Sequence, residues 1–214
     1  MGKIRKGILG GFSGKVGTVV GASWRGIAYM RSLPLKVRNP RTQPQRMQRS
    51  KFALALGLLQ PMTAFLRTGW KLYAYKQSPF NAAMSYTINN AIIGTYPNYD
   101  IDPSKVLVSR GSLPTVTNTF VSFNTGNVEI ELQWEDNSGK GSAKVTDKAL
   151  IAILNLDKGE AITETAGAVR PDCAQNLVVP AEWLGDEVHV YMGFISDDGK
   201  EVANSVYLGN VTLA

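Results

Sequence analysis

The second half of the chain alternates apolar and polar residues in short runs, the pattern of antiparallel strands. From Val128 to Trp134 every second residue is apolar, so one face of that strand is predicted to be buried. His189 lies between Val188 and Val190 and is expected to face away from them. Turn sequences rich in Asn, Asp and Gly separate several runs. The predicted strands are Lys105–Ser109, Thr115–Phe123, Val128–Trp134, Ser142–Val145, Leu150–Leu156, Ala161–Val169, Gln175–Val179, Val188–Ser196 and Ser205–Leu213.

Residues 41–94 instead place apolar side chains at helical spacing. Pro61 is expected to end or kink a first helix, because proline removes a backbone donor and clashes with the preceding turn. A later helix is predicted to begin at Ser78–Pro79, an N-cap serine followed by a first-turn proline. Its apolar stripe continues to Ile92, and Gly94 is the predicted C-cap.

The first 40 residues contain eight glycines, which argues against a helix. The residues between the glycines favour strands, so we expect short extended pieces joined by glycine turns. Such a segment cannot build a core alone and must lie against other parts of the chain, another subunit or a nucleic acid. The residues predicted to form an assembly arm are Gly10, Gly11, Gly14, Val16, Gly17, Val19, Gly21, Trp24 and Ile27.

These patterns predict an α+β protein in three parts. Residues 1–40 form a basic, glycine-rich β-arm, residues 41–99 a short helical module, and residues 100–214 an immunoglobulin-like antiparallel β-sandwich. Trp134, Trp183 and Tyr207 are expected to pack within the sandwich.

Charge is divided between the two halves of the chain. Residues 1–99 hold 15 Lys or Arg and no Asp or Glu, whereas residues 100–214 hold 8 Lys or Arg and 17 Asp or Glu. A solvated basic surface is one interpretation, but ordinary surfaces mix both signs. The alternatives are a polyanionic partner, or contact between the basic and acidic halves within one chain or between chains. The cations expected to bind an anionic surface are Arg38, Arg41, Arg46, Arg49 and Lys51.

The segment Gly7–Ile27, which reads GILGGFSGKVGTVVGASWRGI, resembles an uncharacterised family of small bacterial proteins, a domain of unknown function common in the Bacteroidetes. The likeness continues through Asn39–Thr42 and Phe80–Met84 and ends with Ser205–Gly209, so it spans essentially the whole chain. This resemblance implies no activity. Asn39–Thr42 and the helix after it also resemble segments of phage-derived structural proteins, which favours virion or filament assembly.

The motifs of common catalytic sites are missing from the sequence. Cys173 is the one cysteine and His189 the one histidine, which excludes an internal disulfide and a Cys/His zinc site. The segment Phe12–Val16 lacks the first glycine and the Ser or Thr of a phosphate loop. We therefore expect no catalytic residues, no metal site, no cofactor and no enzymatic activity. Chemistry by Glu, Asp, Lys or Tyr leaves no short motif and stays as a third class.

The predicted function is non-enzymatic self-assembly into a filament, a ring or a virion-type particle. The arm and the basic/acidic complementarity favour homo-oligomers that join head to tail. The alternative is a nucleic-acid-binding protein, virion-associated, that uses the basic half. No apolar run reaches the length of about 18 residues that a spanning helix needs, so no membrane partner is expected. The opening residues lack a standard export signal, which predicts a cytoplasmic or particle-associated protein.

Overall fold

The computed structural model describes residues 2–4, 7, 10–24, 26–36 and 41–214. The chain forms two compact units, residues 1–42 and residues 43–214. Arg38, one of the cations predicted to bind an anionic surface, lies outside the described residues.

The N-terminal unit contains a four-stranded antiparallel sheet whose strands follow one another in chain order. Gly17 and Gly26, both with positive φ, lie in the turns that join the second strand to the third and the third to the fourth. A residue with a side chain is strained at such φ values, so these turns require glycine. The strands are β1 (Lys3–Ile4), β2 (Phe12–Val16), β3 (Val19–Trp24) and β4 (Ile27–Ser32).

Three helices open the second unit: α1 (Gln43–Leu59), α2 (Thr63–Gly69) and α3 (Pro79–Asn90). Pro61 lies in the short 3₁₀ turn between α1 and α2, as its sequence context predicts. The N-cap prediction for α3 is confirmed, since Oγ of Ser78 accepts a hydrogen bond from the backbone N–H of Asn81 at 3.1 Å.

The predicted end of α3 is wrong. The helix stops at Asn90, and Ile92 already belongs to a strand, β5 (Ile92–Thr95), which pairs with β6 (Asn98–Ile101). Gly94 is part of β5 and caps no helix. The backbone of Ile92 faces Ile101 in this hairpin, and that cross-strand pairing replaces the next helical turn.

Seven further strands complete the unit, and each overlaps a predicted one. They form an antiparallel four-stranded sheet in the order β10-β9-β12-β13 and an antiparallel three-stranded sheet in the order β11-β8-β7. Their bounds are β7 (Thr117–Asn124), β8 (Glu129–Glu135), β9 (Lys148–Asn155), β10 (Glu160–Glu164), β11 (Ala174–Val178), β12 (Glu187–Ile195) and β13 (Val206–Thr212).

Two predicted strands are not strands. In Lys105–Ser109 the N–H groups of Val108 and Ser109 donate to the hydroxyl oxygen of Ser205, so a side chain replaces the strand ladder. In Ser142–Val145 the backbone turns back on itself, because the N–H of Ala143 donates to the carbonyl of Lys140. Apolar residues alone do not distinguish such extended loops from strands.

The four-stranded sheet is buried on both faces. Ile151 and Ile153 of β9 face the three-stranded sheet, whereas Leu150 and Leu154 pack against the helices. Helices and strands from either side of residue 100 therefore share one core. Residues 43–214 consist of a helical layer, a central sheet and an outer sheet.

Two of the three aromatic residues predicted to pack within the sandwich do so. Trp134 and Trp183 are buried between the two sheets, as predicted. Tyr207 is only partly buried and packs on the side of the helices. The centroid of its ring lies 5.2 Å from that of Tyr191. His189 faces away from Val188 and contacts Tyr207, so its predicted orientation is confirmed.

Candidate assembly interface

One face of the N-terminal sheet combines aromatic, aliphatic and basic side chains. Residues directly opposite each other in an antiparallel pair point to the same face. Trp24 lies opposite Ile27, and Val20 lies between its partners Lys15 and Arg31. We call this surface the aromatic–basic face; its members are Lys3, Ser13, Lys15, Val20, Ala22, Trp24, Ile27, Tyr29 and Arg31.

The large residues of the aromatic–basic face are open to solvent. The side chains of Trp24, Ile27 and Tyr29 are 63%, 66% and 45% exposed. Every residue of β4 is exposed, and within the described residues its outer edge pairs with no other strand. Exposed apolar groups beside an open strand edge are typical of an interaction surface.

The opposite face of the same sheet contains close contacts between apolar side chains and glycine. The ring of Phe12 lies against Gly21 so closely that a Cβ at position 21 would collide with the ring and with the carbonyl oxygen of Phe12. Val16 and Val19 are paired on this face. The predicted anchors Val16, Val19, Trp24 and Ile27 therefore do not share one face, because the first two lie opposite the last two.

The predicted glycines have distinct places in this unit. Gly14 pairs with Gly21 across β2 and β3, and Gly17 forms the turn between those strands. Gly10 and Gly11 precede β2 and line a shallow cleft beside β4. Close backbone approach, which the sequence predicted for these residues, is observed most directly at Gly21.

The described members of the predicted cation set lie in both units of the chain. Arg46 and Arg49 are exposed and lie three residues apart on one side of α1. Lys51 points elsewhere, since its Nζ lies 4.9 Å from the ring centroid of Tyr99. Arg41 belongs to the N-terminal unit.

The outer face of the three-stranded sheet is acidic. Along β8 the inward residues are Ile130, Leu132 and Trp134, and the outward residues that alternate with them and flank them include three glutamates. We call this surface the acidic face and define it by Glu129, Glu131 and Glu135 of β8 with Phe120 of β7 and Val178 of β11.

Asparagines rather than cations contact these glutamates. Nδ2 of Asn124 donates to Glu131 at 2.7 Å and Nδ2 of Asn176 donates to Glu129 at 3.2 Å. In the described part of the chain no ion pair involves the glutamates of the acidic face. Phe120 and Val178 beside them are 61% and 67% exposed. The alternation along β8 predicts the buried apolar face, and the same alternation indicates the acidic face on its other side.

The described residues offer little that suggests a metal centre. No group of three His, Cys, Asp or Glu side chains among them is placed to hold a metal ion. Likewise, none of the described helices has both the length and the apolar character needed to cross a bilayer.

Comparison with known proteins identifies a family and one distant structural likeness. The model of a family of unknown function, DUF6266, matches residues 11–209. A search of curated proteins gives no match. Among solved structures, the chicken interferon gamma receptor alpha chain matches with 14% sequence identity and a TM-score of 0.37. That match covers 48% of this chain and 46% of the receptor chain, about half of each, and it carries no conclusion about function.

Proposed function

The chain belongs to this family of unknown function, and we propose that it is a non-enzymatic structural protein that assembles with copies of itself. The observation that carries the proposal is the aromatic–basic face, where Trp24, Ile27 and Tyr29 are exposed beside the open edge of β4. Leaving this apolar area in water costs free energy in proportion to its size, so covering it favours association. The product is a filament, a ring or a virion-type particle.

The partner that fits this face best is the acidic face of a second copy. Lys3, Lys15 and Arg31 offer positive charge next to apolar groups, and the acidic face offers three glutamates next to Phe120 and Val178. Residues 1–99 contain no carboxylate that repels the glutamates. Two different surfaces meet in such a contact, so it is head to tail and can continue from copy to copy.

A pair of substitutions on one strand tests the apolar part of this contact. Ile27 and Met30 of β4 are almost equally exposed, at 66% and 70%, but they lie on opposite faces. We expect Ile27→Thr to reduce the average mass measured by multi-angle light scattering at high protein concentration, and Met30→Thr to leave it unchanged. Full-length protein that is monomeric at high concentration and low salt would rule out assembly.

A charge exchange tests whether the acidic face of a second copy is the partner surface. Arg31→Glu alone and Glu131→Lys alone should each weaken assembly, because each places like charges together. Mixing the two single variants should restore assembly, because the new glutamate of one copy then meets the new lysine of the next copy. The charges at this contact are exchanged but still opposite. Restoration only when both changes are in the same chain would contradict a contact between copies. If Ile27→Thr blocks assembly and the charge changes do not, the partner is another N-terminal sheet rather than the acidic face.

We also propose an immunoglobulin-like arrangement for the seven strands β7–β13. The first, second and fifth strands form one sheet, and the third, fourth, sixth and seventh form the other. This is the distribution of a constant-type sandwich, except that the fourth strand pairs with the third instead of lying in the opposite sheet. Large apolar side chains fill the space between the sheets. An experimental structure in which β7, β8 and β11 do not share one sheet would contradict this proposal.

A second candidate function is binding of single-stranded nucleic acid, virion-associated, by the same face. Trp24 and Tyr29 offer exposed rings for base stacking, and Lys15 and Arg31 lie on the same face to neutralise phosphates. Labelled single-stranded DNA and RNA, titrated at two salt concentrations, test this function. Binding that weakens steeply with salt and is lost in Tyr29→Ala supports it. No binding at low salt rules it out.

A further inference from the structure

Arg110 lies among three aromatic rings on the helical layer. Its backbone N–H donates to the carbonyl of Gly69 at 2.9 Å, which fixes where the side chain begins. The guanidinium carbon lies 4.5 Å from the ring centroid of Tyr73, 5.6 Å from that of Tyr86 and 5.8 Å from that of Trp70. Contacts of this kind between a cation and ring faces hold the guanidinium in place without using its N–H donors.

Among the described residues, no carboxylate forms an ion pair with Arg110. Throughout the same residues, its guanidinium donates no hydrogen bond. Tyr86 belongs to α3, and Trp70 and Tyr73 belong to the segment between α2 and α3. These helices and that segment lie in residues 43–99, which contain no Asp or Glu. Arginine keeps its charge and its five donors at any ordinary pH, and a half-buried cation is stabilised by an anion. That anion must come from outside these helices.

A cleft of about 270 Å³ opens beside the guanidinium. Asn89 and Asn90 of α3 line it, and their Nδ2 groups donate to the carbonyls of Ser85 and Tyr86, each at 2.8 Å. Among the described residues no group donates a hydrogen bond to their side-chain oxygens, so these oxygens can accept one from a ligand. The cleft therefore combines one fixed cation with neutral acceptors.

We propose that this cleft binds the C-terminal carboxylate of a peptide. The guanidinium fork matches the two oxygens of a carboxylate. A single positive charge balances a monoanion, whereas a phosphate dianion would keep excess charge among neutral amides. The oxygens of Asn89 and Asn90 suit the peptide N–H next to the terminal carboxylate. The volume lies just below the usual range of ligand sites, about 300–1,000 Å³, so it accommodates the last residue or two of the peptide.

A matched pair of ligands tests the carboxylate. The full-length protein is titrated by calorimetry with an N-acetylated dipeptide and with the same dipeptide as its C-terminal amide. We expect the acid to bind at least about tenfold more tightly, because hydrogen bonds to a charged group are the stronger kind. Inorganic phosphate should bind more weakly than the acid. Equal binding of acid and amide, or tighter binding of phosphate, overturns the proposal.

A matched pair of arginine variants tests whether Arg110 binds the carboxylate. Arg110→Lys keeps a cation near the rings but loses the fork, so the acid should bind about tenfold more weakly. Arg67→Lys changes an exposed arginine of α2 and should have no effect. Asn90→Ala leaves Arg110 in place and should weaken both dipeptides without removing the preference for the acid. Unchanged affinity in a folded Arg110→Lys protein, with its fold checked by circular dichroism, overturns the assignment.

Discussion

Nε of Arg170 donates a hydrogen bond to Oδ2 of Asp147 at 2.8 Å, and both side chains are completely buried. The other guanidinium nitrogens donate to Oδ1 of Asn137 and to the carbonyl of Pro114. The carbonyl of Arg170 accepts the indole N–H of Trp134 at 2.9 Å. This one side chain therefore connects three loops at the end of the β-sandwich.

Arg170→Met should destabilise the protein strongly. Removing one partner of a buried ion pair leaves the other charge unpaired in the interior, at a cost of about 3–5 kcal/mol. Lys200→Met is the matched control, because the ion pair between Lys200 and Asp198 is mostly exposed and should contribute little to stability. Urea unfolding followed by tryptophan fluorescence measures both. If Arg170→Met lowers the free energy of unfolding as little as Lys200→Met does, the ion pair between Arg170 and Asp147 is not important for stability.

Ser205→Ala should destabilise the segment that joins the helices to the sheets. The hydroxyl oxygen of Ser205 accepts from the N–H of Val108 at 2.9 Å and from that of Ser109 at 3.3 Å. Alanine leaves two buried donors without a partner, at about 1–3 kcal/mol each. Ser85→Ala changes an exposed serine of α3 and should be nearly neutral. Amide hydrogen exchange at residues 108 and 109 should accelerate only in Ser205→Ala.

These two contacts mark what sequence patterns cannot provide. The strands β8, β9 and β12 are predictable because apolar periodicity and turn residues act locally. The pairing of Arg170 with Asp147 and of Ser205 with Val108 depends on residues 23 and 97 positions apart, and no local pattern indicates it. One signal was available for the helical layer: the continuous apolar run from Ala149 to Leu154 is typical of a strand covered on both faces.

The candidate interface was predictable in part. Glycine and β-prone residues indicated strands and turns in the first 40 residues. They did not indicate which side chains share a face, because the register that places Trp24 opposite Ile27 depends on the lengths of the turns. The acidic face follows from the same alternation along β8 that predicted its buried side.

The stability of the protein should fall as the pH drops from about 7.5 to 5.5. Burial lowers the pKa of His189, and the charges of Glu187 and Asp157 only partly oppose this. The unfolded chain therefore takes up the proton first, near its unperturbed pKa of about 6.5, and folding is disfavoured below that pH. His189→Gln should flatten this part of the pH dependence of the melting temperature. An unchanged slope in the variant would assign the effect to other groups.

A separate loss of stability should occur at strongly acidic pH. Hydrogen bonds, chiefly from neighbouring side chains, hold the pKa values of four carboxyls below their usual range. Stability from carboxylates with lowered pKa is present above the unfolded pKa, about 3.9, and is lost as the pH falls through the folded pKa. His189→Gln should leave this acid limb unchanged. The four residues are Asp102, Asp136, Asp186 and Asp198.

Gly21→Ala should disrupt the N-terminal sheet while leaving residues 43–214 folded. The new Cβ would collide with the ring and the carbonyl oxygen of Phe12, and that oxygen cannot move away without disturbing β2. Gly57→Ala is the matched control: its Cβ meets nothing within 4 Å, and alanine in a helix is favoured over glycine by about 1 kcal/mol. Limited proteolysis should cut Gly21→Ala within residues 1–42 and leave Gly57→Ala intact. Because the aromatic–basic face depends on that sheet, Gly21→Ala should also lose assembly, and assembly that persists after the sheet is disrupted would place the interface in residues 43–214.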